Sequence, residues 1–435
     1  MRLLPGGEAL VHPKDQPRAP SCLAANAVPG DVLRLAPCGK RRGVMRARVS
    51  EVVLPSPLRA APVCEAADAC GGCALAFVDA GAHAGIKSAW VREAFAAHLT
   101  ETCDWRGVTG EPTLATRRRA RLWRGEDARS SFLGFRARAS HRVVRSAYCP
   151  VIHPFIESVR RSLGPRLPRA VSCVRATVLT DGAHVVLEGT DRASPETLGR
   201  WVEKMAGELD FEAPVAWWGR IGNALQPLSR PVPRINERVP AGEREVMLPV
   251  GPEDFVQGTM DGHAALVAQV STWTQLLMRK RRGGGGAFRV ADLFCGIGNL
   301  SLPLVVALGC TVRGADACAA SIRQANRAVR ELRASGMQGA DARYETLNLF
   351  EPFDAAPFAG ADVLLLDPPR KGARLICERL GELLPRAIIM VHCDPAAGRR
   401  DAGIVAGFGY RLRALRALDL FPWTGHVESL SLWTR

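Results

Sequence analysis

The 435-residue chain has 47% hydrophobic and 23% charged positions, the balance of a folded, water-soluble protein with room for two or three domains. Its formal net charge of +15 predicts a surface that attracts a polyanion, for which nucleic acid is the first candidate. The first 20 residues lack the apolar core of a signal peptide, and no later stretch is apolar for the roughly 18 residues of a spanning helix. We therefore expect a cytoplasmic protein with no membrane partner.

The chain has thirteen cysteines, an odd number in a long sequence without secretory features. This argues against a disulfide framework and favours reduced thiols that bind metal or act in catalysis. The arginine-rich runs at 117–121 and 279–282 fit a nucleic-acid contact and a solvated face about equally well. The charge of the whole chain therefore carries more weight than any single run.

Residues 1 to about 60 alternate short apolar stretches, at 31–35 and 45–53, with Gly and Pro. This pattern predicts a small β-barrel, and five-stranded barrels of this size commonly bind oligonucleotides. A purely structural β-module is the alternative.

Residues 61–250 give mixed signals from which no topology follows. The patterns predict helices at 83–99 and 196–209 and strand-like runs at 132–144 and 176–187. Four glycines at 283–286 then predict a surface turn ahead of the last domain.

Beyond residue 286 strands and helices alternate regularly. We predict strands at 288–293, 311–316, 363–366, 387–391, 410–418 and 427–433, and helices at 300–308 and 319–333. Such alternation indicates an α/β domain with a doubly wound parallel sheet that helices cover on both faces.

A glycine-containing turn joins the first strand of this region to its helix. Gly296 and Gly298 lie where open α/β sheets bind ligands, and Asp316 ends the next strand, where a carboxylate can accept hydrogen bonds from both hydroxyls of a ribose. Ser301 stands where a dinucleotide fingerprint needs its third glycine. The turn and the acid together favour an adenosine-containing cofactor over a simple tight turn and a helix-capping carboxylate.

Another acid, Asp367, lies at the tip of the strand at 363–366. Two prolines follow it, and they fix φ and remove two hydrogen-bond donors. An acid at a strand tip before such a rigid loop is hard to explain by folding alone, so we place it in the candidate site.

Three cysteines, Cys64, Cys70 and Cys73, have the spacing Cys-x5-Cys-x2-Cys, and Cys149 follows at long range. Four thiolates are what a 4Fe-4S cluster requires, but Cys-x2-Cys with two further cysteines also suits zinc. Radical enzymes that use S-adenosylmethionine typically have Cys-x3-Cys-x2-Cys, so this spacing argues against them. Spacing alone leaves a cluster, a zinc site and unligated thiols open.

The whole chain resembles the bacterial RNA uridine-5-methyltransferases that carry an iron–sulfur cluster, most like the branch acting on 23S ribosomal RNA. The resemblance rests on Asp292 to Asn299, on the Asp-Pro-Pro-Arg-x-Gly loop from Asp367 to Gly372, and on His426-Val427-Glu428. It implies an N-terminal OB-like, TRAM-type barrel (1–60) that binds RNA and a mixed α+β central domain (61–250) with the cluster. It also implies a C-terminal Rossmann-like methyltransferase domain (251–435).

Carried over residue by residue, the resemblance implies three sets of functional residues. The catalytic pair is Cys393 as nucleophile and Glu428 as general base. The S-adenosylmethionine contacts are Gln257, Phe294, Asn299, Asp316 and Asp367, and the 4Fe-4S ligands are Cys64, Cys70, Cys73 and Cys149. Thr259 and Asn348 stand where the family usually has Asn and Asp, and each keeps hydrogen-bonding capacity.

The implied chemistry explains why a cysteine and a base are needed. Carbon 5 of uracil is a poor nucleophile, and adding a thiolate to carbon 6 makes it reactive enough to take a methyl group. A base must then remove the hydrogen on carbon 5 before the thiolate leaves. The target nucleotide must also be flipped out of the folded RNA.

The residues around the nucleophile depart from the family pattern. His392-Cys393-Asp394-Pro395 replaces Ser-Cys-Asn-Pro. A neighbouring imidazole would lower the pKa of the thiol, whereas a carboxylate would raise it. We interpret Cys295, inside the glycine turn, as structural. The alternatives are a tRNA uridine-5-methyltransferase and an RNA-binding or ribosome-assembly protein with a decayed active site. No obligate protein partner is inferred.

Overall fold

The computed structural model describes residues 1–14, 20–41, 43–189, 194–209, 211–281, 286–337 and 339–435. The predicted glycine turn, except Gly286, and Arg282 lie outside these ranges. The described residues form sheets of five, seven, two and eight strands. No helix among them combines the length and the apolar character needed to cross a membrane.

The N-terminal sheet has the strand order β1-β2-β3-β5-β4. Its strands are β1 (Arg2–Leu3), β2 (Ala9–Val11), β3 (Cys22–Ala25), β4 (Val32–Arg41) and β5 (Val44–Leu54). The predicted apolar stretches at 31–35 and 45–53 are confirmed as parts of β4 and β5, which pair as a long antiparallel hairpin.

The next segment builds a seven-stranded sheet in the order β13-β12-β11-β10-β7-β8-β9. Helix α1 (Ala80–Ala94) and strand β6 (Asp104–Arg106) precede this sheet in the chain and are not part of it. The elements of the segment are β7 (Arg119–Glu126), β8 (Ser131–Arg136), β9 (Val143–Val144), α2 (Pro154–Leu163), β10 (Val171–Leu179), β11 (Gly182–Gly189), α3 (Pro195–Met205), β12 (Val215–Ile221) and β13 (Ala224–Pro227). Helices α2 and α3 pack against one face of this sheet.

Two strand-like runs of this segment were predicted too long. The run at 132–144 is divided between β8 and β9. The run at 176–187 is the β10–β11 hairpin, in which Leu179 pairs with Gly182 across a two-residue turn. The helices predicted at 83–99 and 196–209 are confirmed as α1 and α3, each followed by a short 3₁₀ turn.

A hairpin and a long helix precede the last sheet. They are β14 (Asn236–Ala241), β15 (Arg244–Pro249) and α4 (Met260–Lys280). Thr259 caps α4 by accepting a hydrogen bond from the Gly262 N–H. The sequence patterns did not predict α4.

The last sheet has eight strands in the order β18-β17-β16-β19-β20-β22-β21-β6. The new elements are β16 (Arg289–Leu293), α5 (Leu302–Leu308), β17 (Thr311–Asp316), α6 (Ala319–Ala334), β18 (Ala342–Thr346), β19 (Val363–Leu366), α7 (Arg374–Glu378), α8 (Leu380–Leu383), β20 (Ala387–His392), α9 (Pro395–Gly407), β21 (Arg411–Leu418) and β22 (Glu428–Thr434). The first five strands are parallel, as predicted, but β22 runs antiparallel to both its neighbours, so the sheet is mixed.

Helices cover both faces of this sheet. Alternate side chains of a strand point to opposite faces, so each buried strand contributes apolar side chains to both layers. Val363 and Leu365 pack with helices α4, α5 and α6. Leu364 and Leu366 pack with α1, α7, α8 and α9. The chain before residue 107 thus contributes a helix and, in β6, an edge strand to this layer.

Candidate active site

A cavity of about 610 Å³ opens at the carboxyl ends of β16, β17, β19 and β20. Its volume is in the range of small-molecule sites. All seven residues predicted for catalysis and cofactor binding line it: Gln257, Phe294, Asn299, Asp316, Asp367, Cys393 and Glu428. The fold therefore brings together side chains that lie up to 171 positions apart, from 257 to 428.

The glycine turn forms one wall of the cavity. Gly296 and Gly298 have φ of 54° and 79°, the left-handed region that side chains disfavour. A Cβ on Gly298 would also lie 3.0 Å from the Tyr344 hydroxyl. Asp316 Oδ2 accepts the Gly296 N–H at 3.1 Å, and its Oδ1 accepts the Cys318 N–H at 2.8 Å. Both carboxylate oxygens keep a further lone pair for a ligand.

Two acids, the buried Asp292 and the half-buried Asp367, line the cavity. Burial raises the pKa of each to about 7. Gln257 Nε2 donates to Asp367 Oδ2 at 3.2 Å, which offsets part of this rise. Asp292 Oδ2 has no partner among the described residues and is a polar atom available to a ligand. Sequence reasoning did not include Asp292 among the site residues, although it begins the glycine-turn motif.

The sheet register explains why Cys393 and Glu428 meet. His392 pairs with Ser429 between β20 and β22, so the next positions, Cys393 and Glu428, lie side by side at the strand ends. Burial raises the pKa of Glu428 to about 8, and Asp367 contributes to the rise. Burial also raises the pKa of the Cys393 thiol to about 12, with further contributions from Glu428 and Asp367.

Arg370 supplies the positive charge that opposes these shifts. It lowers the pKa of both Cys393 and Glu428, although burial outweighs it at each. Its Nη2 lies 2.9 Å from His426 Nε2. Burial lowers the pKa of His426 to about 4, so the ring is neutral at pH 7 and Nε2 can accept the Arg370 hydrogen bond. The role of this pair was not anticipated from the sequence.

His392, the imidazole that precedes Cys393 in the chain, pairs with an acid on α9. Its Nε2 lies 3.0 Å from Asp401 Oδ2 in a buried pair that joins the end of β20 to α9. The same Asp401 oxygen accepts the Ala373 N–H at 2.7 Å. His392 therefore ties the strand carrying the nucleophile to the end of the Asp367 loop.

The other departures from the family pattern also have structural explanations. Asp394 caps α9 by accepting the N–H groups of Ala396 and Ala397 at 2.8 and 3.2 Å. Asn348 is exposed and accepts the Phe350 N–H at 3.1 Å. Neither Asn348 nor Thr259 is among the cavity-lining residues, whereas Cys295 is.

The arginine run at 117–121 is not a simple surface feature. Arg118 is fully buried and forms an ion pair with Glu237. Its Nε donates to the Gln257 carbonyl at 2.8 Å, and its backbone N–H donates to the Gly258 carbonyl at 3.1 Å. Arg118 thus fixes the segment that presents Gln257 to the cavity. It is neither a nucleic-acid contact nor part of a solvated face, the two interpretations that the sequence offered for this run.

The four cysteines predicted to bind a cluster lie near one another. Burial raises the pKa of Cys73 to about 11, and the thiols of Cys149, Cys70 and Cys64 contribute to the rise. The Gly72 N–H donates to Cys70 Sγ at 3.4 Å. All thirteen cysteines are free thiols. In the described part of the chain, no three His, Cys, Asp or Glu side chains are grouped so that they could hold a metal ion.

The fold is shared with a solved methyltransferase. The structure of the Pyrococcus abyssi tRNA (uracil-54, C5)-methyltransferase in complex with S-adenosyl-L-homocysteine aligns with a TM-score of 0.67 and 19% identity, over 98% of this chain and 100% of that one. Together, the sheet order and the cavity at its strand ends define an α/β methyltransferase.

Sequence comparison identifies the family, although no family model matches the chain. The Halomonas elongata 23S rRNA (uracil(1939)-C(5))-methyltransferase RlmD is 31% identical over 418 residues, which cover 93% of this chain and 83% of that protein. The protein of the same name from Chromohalobacter salexigens is 32% identical over 427 residues, with coverage of 96% and 86%. The chain belongs to the 23S rRNA (uracil-C5)-methyltransferase family.

Proposed function

We propose that the protein methylates carbon 5 of a uridine in 23S rRNA, with S-adenosylmethionine as the methyl donor and a covalent adduct between Cys393 and carbon 6. The observation that carries this proposal is the side-by-side placement of Cys393 and Glu428 in the cavity that the glycine turn and Asp316 also line. The two relatives described above support the proposal, because both are named as 23S rRNA (uracil(1939)-C(5))-methyltransferases.

The cofactor half of the cavity fits an adenosine-containing sulfonium. We propose that Asp316 binds the ribose hydroxyls and that Gln257, Phe294, Asn299 and Asp367 line the rest of the cofactor site. The unpartnered Asp292 Oδ2 and the free lone pairs of Asp316 provide hydrogen-bond acceptors there. Bound S-adenosylmethionine would supply the methyl group.

The first chemical step is the addition of Cys393 to the uracil. With a pKa of about 12 the thiol is protonated in the free cavity, so it must first release its proton to water to become the attacking thiolate. We propose that Arg370, oriented by His426, stabilises the thiolate and the negative charge that the uracil ring gains as the S–C6 bond forms. Carbon 5 then carries the electron pair that takes the methyl group.

Glu428 completes the cycle as the general base. Its carboxylate accepts the proton from carbon 5, the C–H electrons form the C5–C6 double bond, and the S–C6 bond breaks to release the Cys393 thiolate. A carboxyl whose pKa is about 8 is a much stronger base than one in water. Burial therefore makes the Glu428 carboxylate a strong base, and the fraction of it that is ionised grows as the pH rises through about 8.

We further propose that Cys64, Cys70, Cys73 and Cys149 hold a 4Fe-4S cluster. In such a cluster each cysteine sulfur binds a different iron, so the four thiolates need not converge on one metal ion. Arg117 supports the proposal, because its charge bears on Cys70, Cys73 and Cys149 and its buried Nη2 has no hydrogen-bond partner among the described residues. Thiolates that bind the cluster would supply negative charge next to the Arg117 guanidinium.

We also propose the division of the chain into a TRAM-type barrel (1–60), a central domain (61–250) whose α1 and β6 pack on the methyltransferase sheet, and a methyltransferase domain (251–435). The five-stranded N-terminal sheet supports the first part. The barrel and the central domain would hold the RNA while the target uridine enters the cavity.

The test compares two unmodified RNAs, 23S rRNA and tRNA, with protein purified without oxygen. We expect 5-methyluridine at one position of 23S rRNA, mapped by mass spectrometry, and none in tRNA. Cys393→Ala should bind S-adenosylhomocysteine yet give no product, whereas Cys103→Ala, a change at a half-buried thiol outside the cavity, should retain activity. Methylation of tRNA alone would reassign the substrate, and product from Cys393→Ala would refute the mechanism.

A further inference from the structure

The two faces of the seven-stranded sheet differ in chemistry. Leu122, Leu133 and Val174 point to the face that packs with α2 and α3. Because side chains alternate along a strand, their neighbours on β7, β8 and β10 point to the other face. The residues there include Arg119, Arg121, Trp123, Arg136 and Arg175.

Two guanidinium groups lie against one indole on this second face. The Cζ atoms of Arg136 and Arg121 are 3.5 and 4.4 Å from the centroid of the Trp123 ring. Cation–π contacts of this kind restrain flexible arginine side chains. Arg121 is nevertheless 52% exposed, so its charge is available to a ligand.

Positive charge exceeds negative charge on this face. Glu188 is shared by Arg121 and Arg175, and Glu253, 3.8 Å from Arg175 Nη2, also pairs with Arg220. Arg119 and Arg136 have no ion-pair partner among the described residues, and the buried Nε of Arg136 has no hydrogen-bond acceptor there. Burial lowers the pKa of Arg119 to about 10, so it stays charged at neutral pH. The face therefore complements an anion that carries several charges.

This face leads to the mouth of the cavity. The Cζ of Arg119 lies 5.0 Å from the centroid of the Phe255 ring, and Arg119 Nη1 donates to the Val256 carbonyl at 3.2 Å. Phe255 is 54% exposed and lines the cavity. An exposed ring supported by a cation, next to a site for a flipped base, is a platform on which a nucleobase can stack.

We propose that single-stranded RNA flanking the target uridine binds across this arginine face, defined as Arg119, Arg121, Trp123, Arg136 and Phe255. The guanidinium groups bind phosphates, and the base next to the flipped uridine stacks on Phe255. The proposal rests on the proposed function, because the strand is placed by its path into the same cavity. A single strand is favoured because side chains cannot read the narrow major groove of an RNA duplex.

The test uses the full-length protein and a fluorescein-labelled oligouridylate of about twelve nucleotides, which is within the reach of such a face. Binding is measured by anisotropy over a range of salt concentrations. Replacing Arg121 and Arg136 together by Gln should make the slope of log K against log salt less steep by about 0.7 per lost phosphate contact. Phe255→Ala should weaken binding on the order of 5- to 150-fold. Arg327→Gln, a matched loss of an ion-paired arginine on α6, should change neither quantity.

Binding of S-adenosylhomocysteine reports whether each variant retains the catalytic fold. A double variant that binds S-adenosylhomocysteine and keeps the wild-type salt slope and affinity would overturn the proposal. Equal affinity of the wild-type protein for a glutamate-rich peptide and for the oligouridylate would overturn it as well. If the double variant loses S-adenosylhomocysteine binding, the single variant Arg121→Gln is measured instead, and its salt slope and affinity are compared with those of the wild type in the same way. Failure of the wild type to methylate either RNA would overturn the proposed function while leaving binding at the arginine face testable.

Discussion

Replacing Asp316 by Ala should weaken the binding of S-adenosylhomocysteine, which shares the ribose of the methyl donor. Asp316 lies at the end of β17 and lines the cavity. One hydrogen bond to each carboxylate oxygen comes from the backbone of Gly296 or Cys318, which orients the group. The remaining lone pairs can accept both ribose hydroxyls.

The expected loss follows from these contacts. A hydrogen bond to a charged acceptor contributes roughly 1.5–3 kcal/mol. Asp316 is only partly buried, so water compensates for part of the loss of two such bonds. We expect about 1–3 kcal/mol in total, a rise in Kd of roughly 5- to 150-fold.

Isothermal titration calorimetry with the full-length protein measures this Kd. Asp316→Asn is the control, because its side-chain oxygen can keep one backbone contact while the negative charge is lost, and it should fall between Ala and wild type. An unchanged Kd in Asp316→Ala would place the adenosine elsewhere. Equal losses in Ala and Asn would mean that charge, rather than the number of acceptors, determines affinity.

Three further predictions concern the cluster cysteines, the buried Arg118–Glu237 pair and the general base. Cys70→Ser protein purified without oxygen should lose the brown colour and the roughly four irons expected of the wild type, and stoichiometric zinc in the wild type would contradict the cluster. Arg118→Met should lower the free energy of unfolding by about 3–5 kcal/mol, because the buried Glu237 loses its arginine and keeps only weaker contacts with His263 and the Thr180 N–H. Adding Glu237→Leu should restore part of that loss in denaturant titrations, and a further loss would refute the ion-pair explanation. The decay of the RNA adduct should speed up as pH rises through about 8, because Glu428 must be ionised to accept the proton; a rate that is flat from pH 6 to 9 would exclude this base.

The α/β sheet could be predicted largely from the sequence because its strands are short, buried apolar runs. The strands at 311–316 and 363–366 have the predicted bounds. The reversed direction of β22 could not be predicted, since an apolar run carries no information on strand direction. The β10–β11 hairpin was missed as such because its turn, Thr180 and Asp181, interrupts the apolar pattern for only two residues.

The composition of the site could be predicted from motifs, but its electrostatics could not. The contact between Cys393 and Glu428 depends on the pairing of β20 with β22 over a separation of 35 residues. The burial of Arg118 depends on Glu237, which no local pattern associates with it. The sequence left the effect of His392 on the neighbouring thiol open, and its pairing with Asp401 on α9 could not be inferred from adjacency.

The pairing of Cys393 with Glu428 is tested most directly by denaturing electrophoresis of Glu428→Gln protein after incubation with 23S rRNA and methyl-labelled S-adenosylmethionine. Addition and methyl transfer remain available to this variant, but the proton on carbon 5 stays, so elimination stalls. A labelled RNA–protein adduct should therefore accumulate in Glu428→Gln and be absent from the Cys393→Ala/Glu428→Gln double variant. Full turnover by Glu428→Gln, or an adduct that persists without Cys393, would contradict this prediction.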